Sequence, residues 1–243
     1  RDSPMKYSKL AFASTLLIAS LTPQLHSQEQ FKDWLGITSD DWSDSSNWES
    51  GYIPGTDPAM DTARIYNSDI SSDPTDYNTA LKSGSVSLKR VWLGNSNDVN
   101  ESGVLTVESG AALATSGDFV MENSSSLTSS GAISVGNVNG LIVRDTANVT
   151  LNDGSTLNSL RLEGFSTATM EAGSAVNSIN LGQDSQLTMG SSYNSTLDVN
   201  SRSSATINGT INSALNYNTS GTGLIGEDGI VTGNLGVNRS ASV

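Results

Sequence analysis

The stretch VTLNDGSTLNSLRLEGFSTATMEAGSAVNSINLGQDSQLTMG, residues 149–190, decides the fold, because one pattern of short strands returns within it at a constant spacing. Thr150, Thr169 and Thr188 each stand between two apolar residues, so the threonine and its neighbours point to opposite sides of a strand. Outward from this stretch the same column continues in both directions and comprises Thr106, Thr128, Thr150, Thr169, Thr188 and Thr206. Strand alternation at a near-constant period predicts a solenoid.

A second column of apolar residues keeps the same register. Its members, which drift in step with the threonines, are Phe119, Leu141, Leu160, Ile179, Leu197 and Leu215. Each has an apolar or aromatic partner two positions later, and these partners are Met121, Val143, Leu162, Leu181, Val199 and Tyr217. This alternation predicts a second strand in every turn, with one face in the core.

Asn-Ser pairs mark the predicted corners between strands. They occur at residues 158–159, 177–178, 194–195 and 212–213. Asparagine tolerates left-handed backbone and can hydrogen-bond to its own main chain, so we expect stacked asparagines at the bends. From residue 86 onward the chain is dense in Gly, Ser, Thr and Asn and lacks an apolar stripe of helical spacing, which disfavours helix. The predicted fold is all-β, a single-stranded parallel β-helix with coils of 18–22 residues.

The N-terminal segment, residues 1–27, has the proportions of a secretory signal peptide. Two lysines precede an apolar run, Leu10–Leu21, which is too short to span a bilayer comfortably. We expect cleavage after Ser27, with residues 1–4 as a remnant of upstream sequence. The protein is therefore predicted to be secreted, either extracellular or on the outer cell surface.

Two further segments follow in the predicted organisation. Residues 28–82 form an irregular N-terminal cap with a first strand near Thr62–Tyr66, and this cap contains three of the four tryptophans, Trp34, Trp42 and Trp48. Aromatic residues in irregular loops can cover the open end of a solenoid core. Residues 83–243 form the parallel β-helix, which we expect to be truncated because the sequence stops in the middle of a coil pattern.

Charge and composition exclude several classes of function. Three of the 12 basic residues and one of the 25 acidic residues lie in residues 1–27, so the remainder has a net charge of −15. Such a surface repels nucleic acid and anionic lipid, and we predict no nucleic-acid partner and no membrane span in the mature chain. There is no cysteine, and the one histidine, His26, would leave with the signal peptide. Thiolate chemistry, a histidine base and histidine–metal clusters are thereby excluded from the mature chain.

A family resemblance lies in DWLGITSDDWSDSSNWESGYIPGTDPAMDTARI, residues 33–65, which carries the pattern W-x-G…W-x-x-x-x-N-W-x-x-G-x-x-P…D-x-A-x-I. Its fixed positions are Trp34, Gly36, Trp42, Asn47, Trp48, Gly51, Pro54, Asp61, Ala63 and Ile65. The stretch VWLGNSNDVNESGVLTVESGAAL, residues 91–113, carries a second shared pattern. Residues 31–145 thus resemble large secreted bacterial β-solenoid proteins, both those with autotransporter-associated β-strand repeats and those of the PEP-CTERM type. The resemblance implies an extracellular or surface β-helix and little about activity.

One outward column is the candidate binding site. Arg161, Asn180, Asp198 and Asn216 each sit between the two apolar residues of a strand. Parallel β-helices can carry carboxylates and a basic residue on such a face for calcium-assisted elimination or acid–base cleavage of polysaccharides. A lyase site usually has several carboxylates beside a basic residue, whereas this column has one arginine and one carboxylate. Lyase chemistry therefore stays an alternative, and no catalytic residue is assigned.

Two other features have competing interpretations. The threonine column is predicted to be a structural ladder, and its regularity also fits an ice-binding surface, although it forms one rank rather than two. Asp40, Asp41 and Asp44, beside Trp42, form an oxygen-rich cluster that could hold Ca²⁺, the one cofactor considered. The EF-hand pattern is absent, and no metal site is assigned.

The main functional prediction is a secreted or cell-surface structural or adhesive solenoid without catalytic activity of its own. The first alternative is a lyase-like polysaccharide-active or carbohydrate-binding β-helix, and the second is an ice-binding surface. The expected partners are extracellular glycans or cell surfaces, bound along a polar face rather than in a pocket. Nothing in the sequence indicates the oligomeric state.

Overall fold

The computed structural model describes residues 29–66, 78–95, 97–98, 100–200, 202–238 and 241–243. The predicted signal peptide, residues 1–27, lies outside these described residues. Within them regular structure is almost all strand, with two short 3-10 helices at Ser45–Asn47 and Glu49–Gly51. Both 3-10 helices have three residues, and the described part of the chain contains no helix with the length and hydropathy of a membrane span.

In chain order the strands are β1 (Gln30–Asp33), β2 (Asp61–Ile65), β3 (Thr79–Leu81), β4 (Gly84–Leu88), β5 (Arg90–Leu93), β6 (Val104–Val107), β7 (Ala111–Thr115), β8 (Phe119–Met121), β9 (Ser126–Ser129), β10 (Ala132–Val135), β11 (Leu141–Val143), β12 (Asn148–Leu151), β13 (Thr156–Leu157), β14 (Leu160–Leu162), β15 (Thr167–Met170), β16 (Ala175–Val176), β17 (Ile179–Leu181), β18 (Gln186–Met189), β19 (Ser192–Tyr193), β20 (Leu197–Val199), β21 (Ser204–Ile207), β22 (Thr210–Ile211), β23 (Leu215–Tyr217), β24 (Thr222–Ile225), β25 (Ile230–Val231) and β26 (Leu235–Val237).

The strands stack into a parallel β-solenoid of about seven turns, which confirms the predicted fold class. Each full turn contributes one strand to each of three faces. Face 1 runs β1-β2-β5-β8-β11-β14-β17 and resumes as β20-β23-β26. Face 2 is one unbroken sheet of eight strands, β3-β6-β9-β12-β15-β18-β21-β24, and face 3 runs β4-β7-β10-β13-β16 and resumes as β19-β22-β25.

Strand register confirms both predicted columns. On face 2 each threonine of the column pairs with the next, from Thr106 through to Thr206. On face 1 the apolar column pairs from Phe119 to Ile179, and again from Leu197 to Leu215. The apolar column points inward and is buried along its length, whereas the threonines point outward. The side-chain period of two therefore separates core from surface in every turn.

Residue sizes inside the core are matched between neighbouring strands. Tyr217 is fully buried on β23, where preceding turns have smaller aliphatic residues. Gly223 on β24 occupies the inward position that Ala205 fills one turn earlier. A Cβ atom at Gly223 would overlap the Tyr217 ring and hydroxyl, so glycine makes room for the tyrosine.

Faces 1 and 3 are interrupted at the same level, between β17 and β20 and between β16 and β19. In the described turns on either side, the first N–H of a face 1 strand bonds to a corner carbonyl of the next turn, as Leu160 N does to Ser178 O at 2.8 Å. Ile179 N instead donates to the Tyr193 hydroxyl at 3.0 Å. The buried tyrosine therefore takes the place of a main-chain acceptor, and the ladder does not continue there.

The Asn-Ser pairs lie at the corners between face 3 and face 1, where bends were predicted. Their backbone is not left-handed, since the residues with positive φ lie elsewhere and include Asn123 and Asp145. Asn158 acts through its side chain, which accepts from Val135 N at 2.9 Å and donates to Val135 O at 2.7 Å. The corner asparagine thus replaces a missing backbone partner rather than adopting strained φ.

Buried serines support the other two corners, between faces 2 and 3 and between faces 1 and 2. Ser155, Ser174 and Ser185 donate their hydroxyls to the carbonyl three residues earlier, at 2.7, 2.8 and 2.7 Å. Each of these carbonyls also accepts from the backbone N–H of the same serine, so the hydroxyl adds a second hydrogen bond within the turn. The sequence interpretation assigned no role to these serines.

The N-terminal end of the core is covered by the three tryptophans of the quoted motif. Trp34 and Trp42 both pack edge-on against Trp48, with ring centroids 4.9 and 4.8 Å apart. The buried carboxylate of Asp61 accepts from Gly55 N at 2.9 Å and holds the loop that precedes β2. β2 is the strand expected near Thr62–Tyr66, but β1 precedes it and forms the edge of face 1.

Candidate binding site

The predicted binding column points outward but is divided into two pairs. Arg161 and Asn180 are neighbours across β14 and β17. Asp198 and Asn216 are neighbours across β20 and β23, and the Asn216 amide donates to Asp198 at 2.8 Å. The interruption of face 1 lies between the two pairs, so the four residues do not form one continuous ladder.

The Arg161 side chain is bound by neighbouring polar side chains. Its guanidinium lies 2.6 Å from Glu163 Oε1 and donates to Asn139 Oδ1 at 3.2 Å. The carboxylate nearest to Arg161 is therefore Glu163, which directly follows its own strand, rather than Asp198 across the interruption. These contacts hold the arginine in place, and Asn139 connects it to a groove that lies further along the same face.

The outward column continues toward the N-terminal end with apolar and aromatic residues. Strand register places Ile142, Val120, Trp92 and Arg64 in line with Arg161. The first three form the floor of a groove with a volume of about 510 Å³. That volume lies within the range of small-molecule sites, which are typically about 300–1,000 Å³.

Turn length explains why the groove lies in this part of the solenoid. The floor positions that stack on one another are Trp92, Val120 and Ile142, and Arg161 follows them in the next turn. The number of residues per turn is largest between Trp92 and Val120, smaller between Val120 and Ile142, and smallest between Ile142 and Arg161. The extra residues of the long turns cannot enter the strands, so they form loops beside face 1. These loops raise walls on both sides of the floor.

Asn123 fixes the loop that forms one wall. It adopts a left-handed backbone with φ of 57°, and its amide nitrogen lies 2.8 Å from the carbonyls of Asn95, Asp98 and Glu101. The Asn123 side chain, which belongs to the next turn, thus binds three carbonyls of a loop that is not part of any strand. The wall is positioned by the stacked turn.

The charged residues that line the groove are all paired. Arg144 lies 3.5 Å from Glu122 and 3.0 Å from Glu163. Asp118 lies 3.5 Å from Arg90, its neighbour in the preceding turn. The rim is therefore polar, with a near balance of positive and negative charge.

Arg64 and Tyr66 close the N-terminal end of the groove. Partial burial opposes the charge on Arg64, but the hydrogen bonds and charge of Asp33 outweigh it and raise the pKa of the guanidinium. Burial and the same Asp33 carboxylate raise the pKa of Tyr66, which keeps the phenol protonated as a hydrogen-bond donor to Asp33. Both groups are therefore held in one protonation state.

The aromatic residues at this end form a small cluster. Phe31 on β1 lies with its ring centroid 6.0 Å from that of Trp92. The Arg64 guanidinium carbon lies 4.6 Å from the centre of the Phe31 ring, a cation–π contact. Trp92 is half-buried, whereas Trp34, Trp42 and Trp48 are at most 5% exposed. The groove floor thus contains the most accessible tryptophan of the protein.

The sequence interpretation missed this site. It singled out the polar half of the outward column and expected binding along a polar face rather than in a pocket. A signal was present, because Trp92 stands between Val91 and Leu93, which places a tryptophan on the outer surface. The walls of the groove could not be predicted from the sequence, because they depend on which loops lie beside each other in the stacked turns.

The acidic cluster does not gather its carboxylates around a common point. Asp41 accepts from Ser43 N at 2.8 Å, Asp44 from Ser46 N at 3.0 Å, and Asp40 pairs with a lysine at 2.6 Å. Within the residues that the structure describes, no group of three or more acidic or histidine side chains could hold a metal ion. The carboxylates stabilise turns, and the calcium hypothesis has no support from this geometry.

The threonine column of face 2 forms one regular rank. The other outward positions of the same strands, two residues earlier, are mixed and include Val104, Asn148 and Gln186. The regular array is therefore one residue wide, as the sequence predicted.

No known protein-family model matches the chain, and neither the curated proteins nor the solved structures contain a significant match. The class of protein is defined by the fold alone, which is that of a parallel β-solenoid.

Proposed function

We propose that the protein is a secreted or cell-surface structural and adhesive solenoid without catalytic activity of its own. The observation that carries this proposal is the unbroken eight-stranded ladder of face 2 above one continuous apolar core. At about 4.8 Å per strand, seven intervals make a rod of roughly 34 Å. Such a rod separates its two ends by a constant distance and presents its outer faces along that distance.

The surface chemistry supports adhesion by many weak polar contacts. Outward positions carry hydroxyls and amides that stack from turn to turn, as Asn212 does on Asn194 at 2.7 Å. These groups offer both donors and acceptors to a hydroxyl-rich partner. Secretion is supported by the signal-like segment of residues 1–27 and by the family resemblance of residues 31–145.

Retention of protein-coated microspheres under flow tests the proposal. Surfaces of cellulose, chitin, xylan and pectin, together with bacterial cells, should retain coated microspheres longer than albumin-coated ones. The supernatants should contain no released sugar and no unsaturated products that absorb in the ultraviolet. Product release would favour the lyase-like alternative, and equal retention of both kinds of microsphere on every surface would refute adhesion.

A further inference from the structure

We infer that the groove on face 1 is a saccharide-binding site in which Trp92 carries one face of a neutral pyranose ring. This inference deepens the proposed adhesive function and rests on it, because it names the site and the chemical class that the solenoid would hold.

The position of Trp92 is the first argument. Its ring lies at an outward strand position beside Val120 and Ile142, on the floor of a concave surface. Large aromatic rings are normally buried for their apolar area, and one left accessible in a groove with a polar rim is suited to an amphipathic partner. A pyranose ring is such a partner, since it has an apolar face of C–H groups and an equator of hydroxyls.

The rim is the second argument, because sugar hydroxyls need donors and acceptors together. Asn97 and Asn139 contribute amides, Arg144 contributes N–H donors, and Asp118 and Glu122 contribute carboxylate acceptors. These planar groups surround the aromatic floor on both walls. A ring lying on Trp92 would direct its hydroxyls toward them.

The charge balance is the third argument, and it selects a neutral ligand. Each of the four charged side chains that line the groove has an oppositely charged partner, as Arg64 has Asp33 and Arg144 has Glu163. A uronic acid polymer would have to compete with these carboxylates for the arginines. The chain as a whole has a formal net charge of −13, which also repels a polyanion.

Tryptophan fluorescence gives a direct test, because the three remaining tryptophans are buried beneath the solenoid end. Acrylamide should quench mainly Trp92 in the free protein. The probes are the neutral hexasaccharides of cellulose, xylan and mannan, with a hexamer of galacturonic acid as the anionic comparison. At least one neutral probe should protect Trp92 from quenching and bind with an affinity that isothermal titration calorimetry measures.

Variants assign the binding to the groove. We expect Trp92→Ala to weaken the affinity by about tenfold or more, and Trp92→Phe to weaken it less while removing the fluorescence response. Phe165→Ala is the matched control, since Phe165 is an aromatic residue that is 67% exposed and absent from the lining of the groove. Its affinity should equal that of the unaltered protein.

Several results would overturn the site. One is unchanged calorimetric affinity in Trp92→Ala, and another is binding of the galacturonic acid hexamer alone with an affinity that falls steeply with salt. Failure of every probe to protect Trp92 in the unaltered protein would also refute it, whether or not the variants fold. If microspheres are retained while any of these results is obtained, the adhesive function stands and the groove assignment fails. If retention is absent, the adhesive function fails independently of the oligosaccharide result.

Discussion

At the residue scale, Asn47 shows how one side chain can organise an irregular segment. Its buried amide oxygen accepts from Thr38 N at 2.9 Å and Ser39 N at 3.1 Å. Its amide nitrogen donates to Ser39 Oγ at 2.9 Å and to Asp41 O at 3.1 Å. An amide supplies a double acceptor and a double donor in one plane, so a carboxylate or an aliphatic side chain of the same size cannot replace it.

Replacement of Asn47 by alanine should lower the free energy of unfolding by about 2–3 kcal/mol, because buried donors lose their acceptor. Urea denaturation followed by tryptophan fluorescence measures the change. Asn212→Ala is the matched control, since Asn212 is exposed and its side chain bonds to that of Asn194. It should change the free energy by about 0.5 kcal/mol or less. Equal effects of the two substitutions would contradict the role assigned to Asn47.

Two buried tyrosines provide a second test at this scale, because their hydroxyls differ in hydrogen bonding. Burial raises the pKa of both Tyr193 and Tyr217, and both stay protonated. The Tyr193 hydroxyl accepts from Ile179 N at 3.0 Å, whereas the Tyr217 hydroxyl has no hydrogen-bond partner in the described part of the chain. The same chemical change should therefore have opposite effects at the two positions.

Tyr193→Phe should lower the free energy of unfolding by about 1–3 kcal/mol, because it leaves the Ile179 N–H buried without an acceptor. Tyr217→Phe should raise it by about 1 kcal/mol, since it removes a buried hydroxyl that has no partner in the described residues. Urea denaturation of both variants beside the unaltered protein measures the two signs. A loss of similar size in both variants would show that ring packing, and not hydroxyl satisfaction, dominates.

At the scale of elements, the interruption of faces 1 and 3 divides the stack into two parts. Face 2 alone carries an unbroken strand ladder past this level, through the pairing of β15, β18 and β21. In a solenoid each turn is stabilised mainly by its immediate neighbours, so a level with fewer ladder bonds is a weak junction. The strands on the two sides of it are expected to open with different free energies.

Hydrogen exchange with mass spectrometry should detect this junction. Amides of β19, β20, β22 and β23 should exchange as one group, faster than those of β8, β11 and β14 in the middle of the longer part. Tyr193→Phe should widen the difference, since it removes a bond that spans the junction. A single exchange rate across all of these strands would mean that the stack opens as one unit.

At the scale of the whole molecule, two carboxylates make the N-terminal end of the rod sensitive to pH. Asp41 accepts local hydrogen bonds from the side chain and the backbone of Ser43. These bonds lower the pKa of Asp41, and bonds from Ser46 lower that of Asp44 in the same way. The unfolded chain therefore binds protons at a higher pH than the folded chain does.

Acid should consequently destabilise the tryptophan end of the rod. A depressed folded-state pKa contributes stability that is complete above the unfolded-state pKa of about 4 and is lost as the pH falls through the folded-state value. Urea midpoints followed by tryptophan fluorescence should be constant from about pH 7 to pH 5 and fall below about pH 4. The double variant Asp41→Asn and Asp44→Asn should show a shallower fall. An identical slope would place the acid sensitivity elsewhere.

The predictions from the sequence agree with the structure at positions that belong to a repeating pattern. Thr150 and Leu160 could be assigned to the surface and the core, because alternation along a strand has a period of two and the turns repeat it. The structure departs from prediction at single positions, as at Tyr193, whose aromatic side chain looks like ordinary core until its hydroxyl is seen to bond to Ile179 N. The Tyr193 hydroxyl occurs in one turn only, so it leaves no periodic signature.

The amino-acid sequence by itself determined that the chain stacks as a parallel β-solenoid, which columns face inward and which outward, and that the turns shorten along the chain. Tertiary structure alone decided that the loops of the long turns rise beside Trp92 and enclose a groove. The reason is physical: strand alternation is a local property of a few residues, whereas the groove needs Trp92, Val120 and Ile142 to meet from three successive turns. Asn123 binds a loop of the preceding turn through its side chain, and that contact forms only when the turns are stacked.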